Sequence, residues 1–483
     1  MKTTLLLALL GCVPAAFAAD PAVAPARIAG ETFIPETALA HAAELRERAL
    51  AGSRAYELVE SLTTEVGPRL AGTPGDARAV AWAKAKFEAL GYDRVYTEPT
   101  TFPVWRRGLE RAEVLHPFPQ RLALTALGGS VGTKRPLEAE VVEFATLDAL
   151  IAAPAESLRG RIAYIANRME RFRDGHGYGV AVTARGRGAV EAAKKGASAL
   201  LIRSIGTDSD RLPHTGMMRY EAGVTEIPAA ALSNPDADLL SNMVRRGQPV
   251  RVRLDIEAGM QGEATSYNVI GEITGRARPD EVVVIGGHLD SWDLGTGAID
   301  DASGVALTMA AGALIGELAQ PPARMIRVIA YANEEQGLYG GKAYAAQHAG
   351  EIAQHVIGAE SDFGAGRIYG FNSNAPAHAR AALLQIAAAL EPLGIDYLPA
   401  RGGAGPDIGP MTTAGMTWAW LGQDGTDYFD YHHTANDTLD KVDAKALDQQ
   451  VAAYAVFAYL AAEAEGNFGS APVPPPAPAD VAK

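Results

Sequence analysis

The 483-residue sequence predicts an α/β fold: a mostly parallel sheet with helices on both faces, carrying a smaller inserted module. Three observations lead there. From about residue 265 onward, short β-branched runs alternate with apolar helical segments, the pattern of parallel strands joined by crossover helices. Glu281 to Ile285 is an unbroken β-branched run, as expected for a strand buried on both faces. Between about 125 and 258 the apolar runs shorten and Pro and Gly punctuate the gaps, which marks a separate unit. With 48% hydrophobic and 21% charged residues the composition is that of a globular protein, and the length favours two or three domains.

In chain order, residues 1–18 read as an export signal: Lys2 gives the positive start, Thr3 to Val13 the apolar run, and Ala16-Phe17-Ala18 the small-residue cleavage pattern. The run is too short to span a bilayer permanently. Leu9-Leu10-Gly11-Cys12 also resembles a bacterial lipoprotein box, so a form anchored by a lipid on Cys12 stays open. Both readings place the protein outside the cytoplasm, periplasmic or secreted. Residues 19–35 form an Ala/Pro linker. Helical periodicity then runs over 36–65 and 74–91, with Leu45, Leu50, Tyr56, Leu58 and Val59 on one face. Tyr96 to Arg107 is extended, and Pro103 places it near a sheet edge.

The main domain is expected over 36–124 and 259–466, interrupted by the insert 125–258. Within the insert, Ile162 to Ile165, Ala199 to Ile202 and Val250 to Leu254 read as strands, Ala189 to Lys195 as a helix, and Arg185-Gly-Arg187-Gly as a short basic loop. Further strands are Glu281 to Ile285, Met325 to Ala332, His355 to Glu360 and Met416 to Leu421. The helices between and after them are Ser303 to Leu318, Leu338 to Gln347, Ala377 to Leu390 and Ala444 to Ala462. A Pro/Ala-rich tail, 467–483, closes the sequence.

Acidic residues outnumber basic ones 57 to 43, a formal charge of −14, which argues against nucleic acid or an anionic membrane surface as partner. The single cysteine, Cys12, excludes a disulfide scaffold, a thiolate metal site and a cysteine nucleophile. No transmembrane segment is expected.

In open α/β sheets, ligands bind beyond the carboxyl ends of the strands. The strand ending at Ile285 leads into Gly286-Gly287-His288-Leu289-Asp290-Ser291, with Asp300 and Asp301 ahead of the next helix. The strand ending at Ala332 leads into Asn333-Glu334-Glu335-Gln336-Gly337. The next ends in Glu360-Ser361-Asp362, and beyond the last lies Tyr431-His432-His433-Thr434. Imidazole and carboxylate without thiolate suit zinc near a catalytic water. Two metals a few ångströms apart need a carboxylate to span them. Adjacent Glu334 and Glu335 suggest that one binds metal while its neighbour stays free as a base.

These motifs together resemble the co-catalytic zinc exopeptidases of clan MH, aminopeptidase type. The stretch from His288-Leu-Asp-Ser-Trp to Asp300-Asp301 is more specifically similar to the carboxypeptidase Q (plasma glutamate carboxypeptidase) type. The resemblance implies the zinc exopeptidase fold and two Zn2+ per chain, with His288 and Asp362 on one, Glu335 and His433 on the other, and Asp300 between them. It implies Glu334 as general base acting on a metal-bridging water, and Asp290 behind His288, fixing its tautomer. The motif places the ligand just before Thr, selecting His433 over His432, and favours Asp300 over Asp301 as the bridge. Short peptides or dipeptides with a free terminus are the implied substrates, and a homodimer is an open possibility. Gly160-Arg161-Ile162, Ala192 to Ala197 and Ile227-Pro228-Ala229 resemble pieces of the protease-associated domain.

Taken singly, each residue has a plain structural reading: Glu334-Glu335 as a solvated helix start, Asp300-Asp301 as a cap. Their joint order at strand ends outweighs those readings. Asp407, Tyr428 and Tyr431, in loops near the last strand and the histidine pair, are substrate-pocket candidates, as is Trp292. His41, His348, His355 and His378, and His116, His176 and His214 in or beside the insert, read as non-functional. The alternatives are a single-zinc glutaminyl cyclase and a non-catalytic binding protein of the same fold.

Overall fold

The computed structural model describes residues 30–473; the export signal and Cys12 lie outside them. The chain opens with α1 (Glu36–Ala51), α2 (Ala55–Ser61), a π turn at Leu62–Val66 and α3 (Pro74–Ala89). Thr73 caps α3 by accepting the Asp76 N–H, and Pro74 sits where its missing donor costs nothing. There follow β1 (Arg94–His116), β2 (Gln120–Leu122), β3 (Leu124–Ala126), β4 (Leu137–Phe144), α4 (Leu147–Ile151), β5 (Ile162–Ile165), α5 (His176–Lys194), β6 (Ala199–Arg203), β7 (Ala229–Leu232), α6 (Asn234–Val244) and β8 (Arg251–Ile273). The last part runs β9 (Arg278–His288), α7 (Ser303–Gly316), β10 (Arg324–Tyr331), α8 (Tyr339–Gln347), β11 (His355–Glu360), β12 (Ile368–Ser373), α9 (Arg380–Leu390), β13 (Asp396–Tyr397), α10 (Gly409–Thr413), β14 (Ala419–Gln423), α11 (Tyr428–Tyr431) and α12 (Ala444–Glu463).

The sheet is mixed, not mostly parallel. Its strand order is β11-β9-β10-β8-β4-β5-β6-β7-β3, with β1 laid along β8. β11, β9 and β10 are mutually parallel, as are β4, β5, β6 and β7. Most of the antiparallel character comes from β1 and β8, which pair from Arg94↔Glu272 to His116↔Arg251, and β3 adds an antiparallel edge on β7. One end of β8 pairs antiparallel with β10 and the other with β4, so this long ribbon joins the main sheet to the strands of the 125–258 segment. Residue 125 falls inside β3 and residue 258 inside β8. β14 does not extend the main sheet; it pairs antiparallel with β12 in a separate three-stranded sheet.

α12 packs against α1, α7 and α9 and is buried from Ala446 to its end, so it is a core element rather than a surface cover. The stretch Ala298–Gly316 is the one described helix long and apolar enough to cross a membrane, and it too is packed inside the protein. α5 begins at His176, well before the expected Ala189, so Arg185-Gly-Arg187-Gly is helix and not a basic loop. Its glycines suit close packing: a Cβ on Gly188 would lie 2.9 Å from Leu200 Cδ2.

Candidate metal centre

The parallel register of β9 and β10 sets His288 beside Tyr331, so the loops that follow open at the same edge of the sheet. Beyond β9 the loop from Leu289 to Ala302 turns back to α7. It is held from beneath by Arg69, fully buried, whose guanidinium donates to the carbonyls of Leu289, Thr296 (2.6 Å) and Gly297 (2.9 Å). The Asp437 carboxylate accepts the Ile299 N–H (2.8 Å) from the other side. Arg69 carries no motif in the sequence, and only the fold identifies it.

Asp300 and Asp301, joined by a cis peptide, divide two tasks. Asp301 turns inward, accepting the N–H of His288 and of Gly304, both at 3.0 Å. That approach needs Gly304: a Cβ there would stand 2.1 Å from the Ser361 carbonyl and 2.3 Å from Asp301 Oδ1. Asp300 faces the histidines, with Oδ1 3.0 Å from His288 Nε2 and Oδ2 3.3 Å from His433 Nε2. Asp362, at the end of β11, brings Oδ1 to 3.5 Å from His288 Nε2, and Glu335 brings Oε2 to 3.0 Å from His433 Nε2.

The tautomers follow from the other ring nitrogens. His288 Nδ1 lies 3.1 Å from the backbone carbonyl of Asp290, which can only accept, so Nδ1 carries a proton and Nε2 is the nitrogen turned to Asp300 and Asp362. The Asp290 carboxylate stands further from that ring, 3.6 Å, and accepts the Glu334 N–H at 3.0 Å. Asp290 thus holds His288 through its main chain and Glu334 through its side chain. His433 Nδ1 meets the Thr215 carbonyl at 3.2 Å, which turns its Nε2 to Asp300 and Glu335 in the same way. His432 stacks on His433, ring centroids 3.5 Å apart, but its Nε2 reaches Asp300 only at 3.7 Å; the geometry favours His433 as ligand.

The electrostatics follow from burial and crowding. Burial opposes a charged Asp300, yet contacts from His288 and His433 hold its carboxyl well below the usual range. Burial also opposes protonation of His433, and Glu335 and Asp300 outweigh it, raising the ring to about 9. Burial, with Asp362 and Glu335 adding to it, pushes Glu334 well above an ordinary carboxylic acid. Burial, reinforced by His433, drives His432 well below an ordinary histidine. Several carboxylates converging in a dry site are costly without cations to meet them. Asp300 Oδ2 and Glu335 Oε1 are buried without a hydrogen-bond partner, as oxygens aimed at a metal would be. The donor set, two imidazoles and three carboxylates, fits divalent transition metals such as zinc.

The pocket candidates divide. Tyr431 is half-buried and Tyr428 lies 8% exposed beside the histidine pair. Asp407 is wholly buried, taken up by the Gly341 N–H, and Trp292 is packed under Gly128 and against the His433 ring. Each keeps one buried polar atom without a hydrogen-bond partner, Asp407 Oδ2 and Trp292 Nε1. Two residues of α5 also reach the site: Tyr178 packs edge-on to His432, with Arg185 donating to its hydroxyl and to the Thr215 carbonyl. No spacing in the sequence joins them to the histidines.

The sequence model of peptidase family M28 matches residues 268–458, which hold all five candidate ligands. Carboxypeptidase Q from Homo sapiens is 35% identical over 416 residues, 86% of this chain and 86% of that protein. The crystal structure of a peptidase M28 precursor from Shewanella amazonensis SB2B superimposes with a TM-score of 0.88 at 52% identity, covering 91% of this chain and 99% of that one. A zinc aminopeptidase from Bacillus subtilis shares the fold, with a TM-score of 0.60 at 19% identity over 84% of this chain and 94% of that one. A peptidase fold, a metal-competent site at its strand ends and homology along most of the chain converge on one conclusion: this chain belongs to peptidase family M28 of the MH clan and is a homologue of carboxypeptidase Q.

Proposed function

We propose that the protein is an exported exopeptidase using two zinc ions to hydrolyse short peptides or dipeptides with a free terminus. One observation carries the reading: two histidines, each with Nδ1 turned to a backbone carbonyl, present Nε2 to opposite oxygens of the single carboxylate Asp300. His288 and Asp362 would hold one ion, Glu335 and His433 the other, with Asp300 shared. Bound there, the ions supply Lewis-acid polarisation of the scissile carbonyl and acidify water.

The remaining chemistry belongs to the chain. Glu334 takes a proton from the attacking water as the water oxygen bonds to the carbonyl carbon. When the C–N bond breaks, the same carboxyl returns that proton to the leaving amine. Burial and neighbouring carboxylates raise the proton affinity of Glu334, which suits a group that must hold a proton between two steps. Asp290 fixes the base by accepting its N–H. Export rests on residues 1–18, which have the charge, apolar run and small-residue pattern of a signal.

The test is zinc counting by elemental analysis together with turnover of a dipeptide panel and its amino-blocked counterparts. Two zincs per chain and cleavage restricted to free-amine substrates would support the reading. One zinc with cyclisation of an N-terminal Gln would replace it with a cyclase, and a zinc-free protein without turnover after zinc is restored would replace it with a binding protein.

A further inference from the structure

We propose that His214 and Asp208, from the segment between β6 and β7, position the metal ligand His433. Both are buried, at 1% and 7% exposure, and both lie in the segment inserted between the halves of the peptidase domain. His214 Nδ1 donates to the backbone carbonyl of His432 at 2.7 Å, across 218 residues of sequence. Its Nε2 meets Asp208 Oδ2 at 2.6 Å, and that oxygen is held in turn by the Asn234 amide at 3.3 Å. The ring also lies flat on Gly206, where a Cβ would come within 2.2 Å of it, so it has no room to turn.

The next residue completes the grip. Thr215 N–H donates to the His433 carbonyl (3.1 Å), and the Thr215 carbonyl accepts from His433 Nδ1 (3.2 Å). The inserted segment therefore binds the 432–433 backbone at two successive carbonyls and fixes the His433 tautomer. His433 needs that support, because its φ of 61° lies in the left-handed region, which a non-glycine residue keeps only where its surroundings impose it. One ring nitrogen of His214 thus holds the main chain of the neighbouring loop, one residue before the ligand.

This inference rests on the two-zinc reading above, and the experiment separates the two. In the full-length protein, His214→Leu keeps most of the volume and removes the donor, whereas His214→Asn returns an amide N–H near the place of Nδ1. Zinc affinity at each site is measured by competition with a chromophoric chelator, beside the thermal unfolding of the zinc-free protein. Residues that orient a metal ligand typically matter by about 10–100-fold in affinity or activity. The Leu variant should therefore bind one of its two zincs about 10–100-fold more weakly and leave the other unchanged, with the Asn variant recovering most of the loss. Wild-type affinity at both sites in His214→Leu would overturn the proposal and leave the two-zinc reading standing. Equal weakening of both sites in both variants would reduce His214 to a general packing residue. A wild-type protein that takes up fewer than two zincs would overturn both.

Discussion

Glu334→Gln is the sharpest perturbation of the site, because it changes one oxygen to nitrogen and nothing in volume. Among the side chains whose donor atoms converge on a metal-sized space, Glu335, Asp300, Asp362, His288 and His433 are present, with Asp301 and His432 beside them, and Glu334 is not. The substitution should therefore leave zinc content at the wild-type value. Stability of the zinc-free protein should hold or rise slightly, since burial and the charges of Asp362 and Glu335 all disfavour an ionised Glu334. Activity should collapse: a positioned acid–base group contributes about 10²–10⁴-fold, equivalent to about 3–5 kcal/mol of barrier. The loss should fall in kcat, with KM for a dipeptide near that of the wild type, because the carboxylate acts on water and the leaving amine. The assay is steady-state hydrolysis of one dipeptide, with zinc counted on the same preparation. Turnover within tenfold of wild type would refute Glu334 as the base. Loss of a zinc would show that it is a ligand, and the division between the two adjacent glutamates would be wrong.

Asp290→Ala should lower kcat by about 10–100-fold while both zincs stay bound, since the His288 tautomer rests on the backbone carbonyl of residue 290 and only the Glu334 N–H loses its acceptor; Asp290→Asn, which keeps an accepting oxygen, should recover part of it, and zinc loss in the Ala variant would contradict this assignment. Gly304→Ala drives a Cβ to 2.1 Å from the Ser361 carbonyl and against the Asp301 carboxylate, which should destabilise the protein by about 1–3 kcal/mol in urea titration; an unchanged midpoint would show that the loop yields freely. Asp76, 5% exposed, is raised by burial from 3.8 to about 6, so the folded state holds its proton more tightly than the unfolded state does. Its contribution to stability is then full below pH 3.8 and is lost as pH rises through about 6, by roughly 3 kcal/mol. Relative to Asp76→Asn, the wild type should lose stability over that window, and a constant difference between the two from pH 3.5 to 7 would refute the shift.

The candidate site could be read from the sequence because its residues sit where sequence carries the most local information. His288 ends β9, and Glu334, Glu335 and Asp362 lie two to four residues beyond the ends of β10 and β11, strands whose apolar runs are recognisable without knowing their neighbours. The strand directions were less accessible. Pro99, Pro103, Gly259 and Gly262 break the apolar pattern of β1 and β8, so the long ribbon that makes the sheet mixed does not read as two strands. The early start of α5 was hidden by Gly177, Gly179, Gly186 and Gly188, which lower helix propensity. Two of them are demanded by contacts: a Cβ on Gly177 would meet the Glu170 carbonyl at 2.2 Å, and one on Gly188 would meet Leu200.

The residues the sequence could not reveal have a common property: they act through backbone atoms. Arg69 binds three carbonyls, Thr215 pairs with the main chain of His433, and His214 donates to the carbonyl of His432. A carbonyl is present at every position, so its recognition leaves no residue type to match and no spacing to count. His214 alone therefore looked like an interior histidine, and Arg185 like part of a loop. What these contacts accomplish is nonetheless specific. They fix the loop between β9 and α7 and the loop bearing His433, which come from distant parts of the chain, so that Asp300 faces both histidines at once. The ligand identities set which ions the site accepts, and the carbonyl contacts set whether the ligands meet. Part of the second task falls to the segment between β6 and β7, whose Thr215 and His214 hold the main chain of His433 and His432, so that segment is part of the framework of the site and not merely a cover over it.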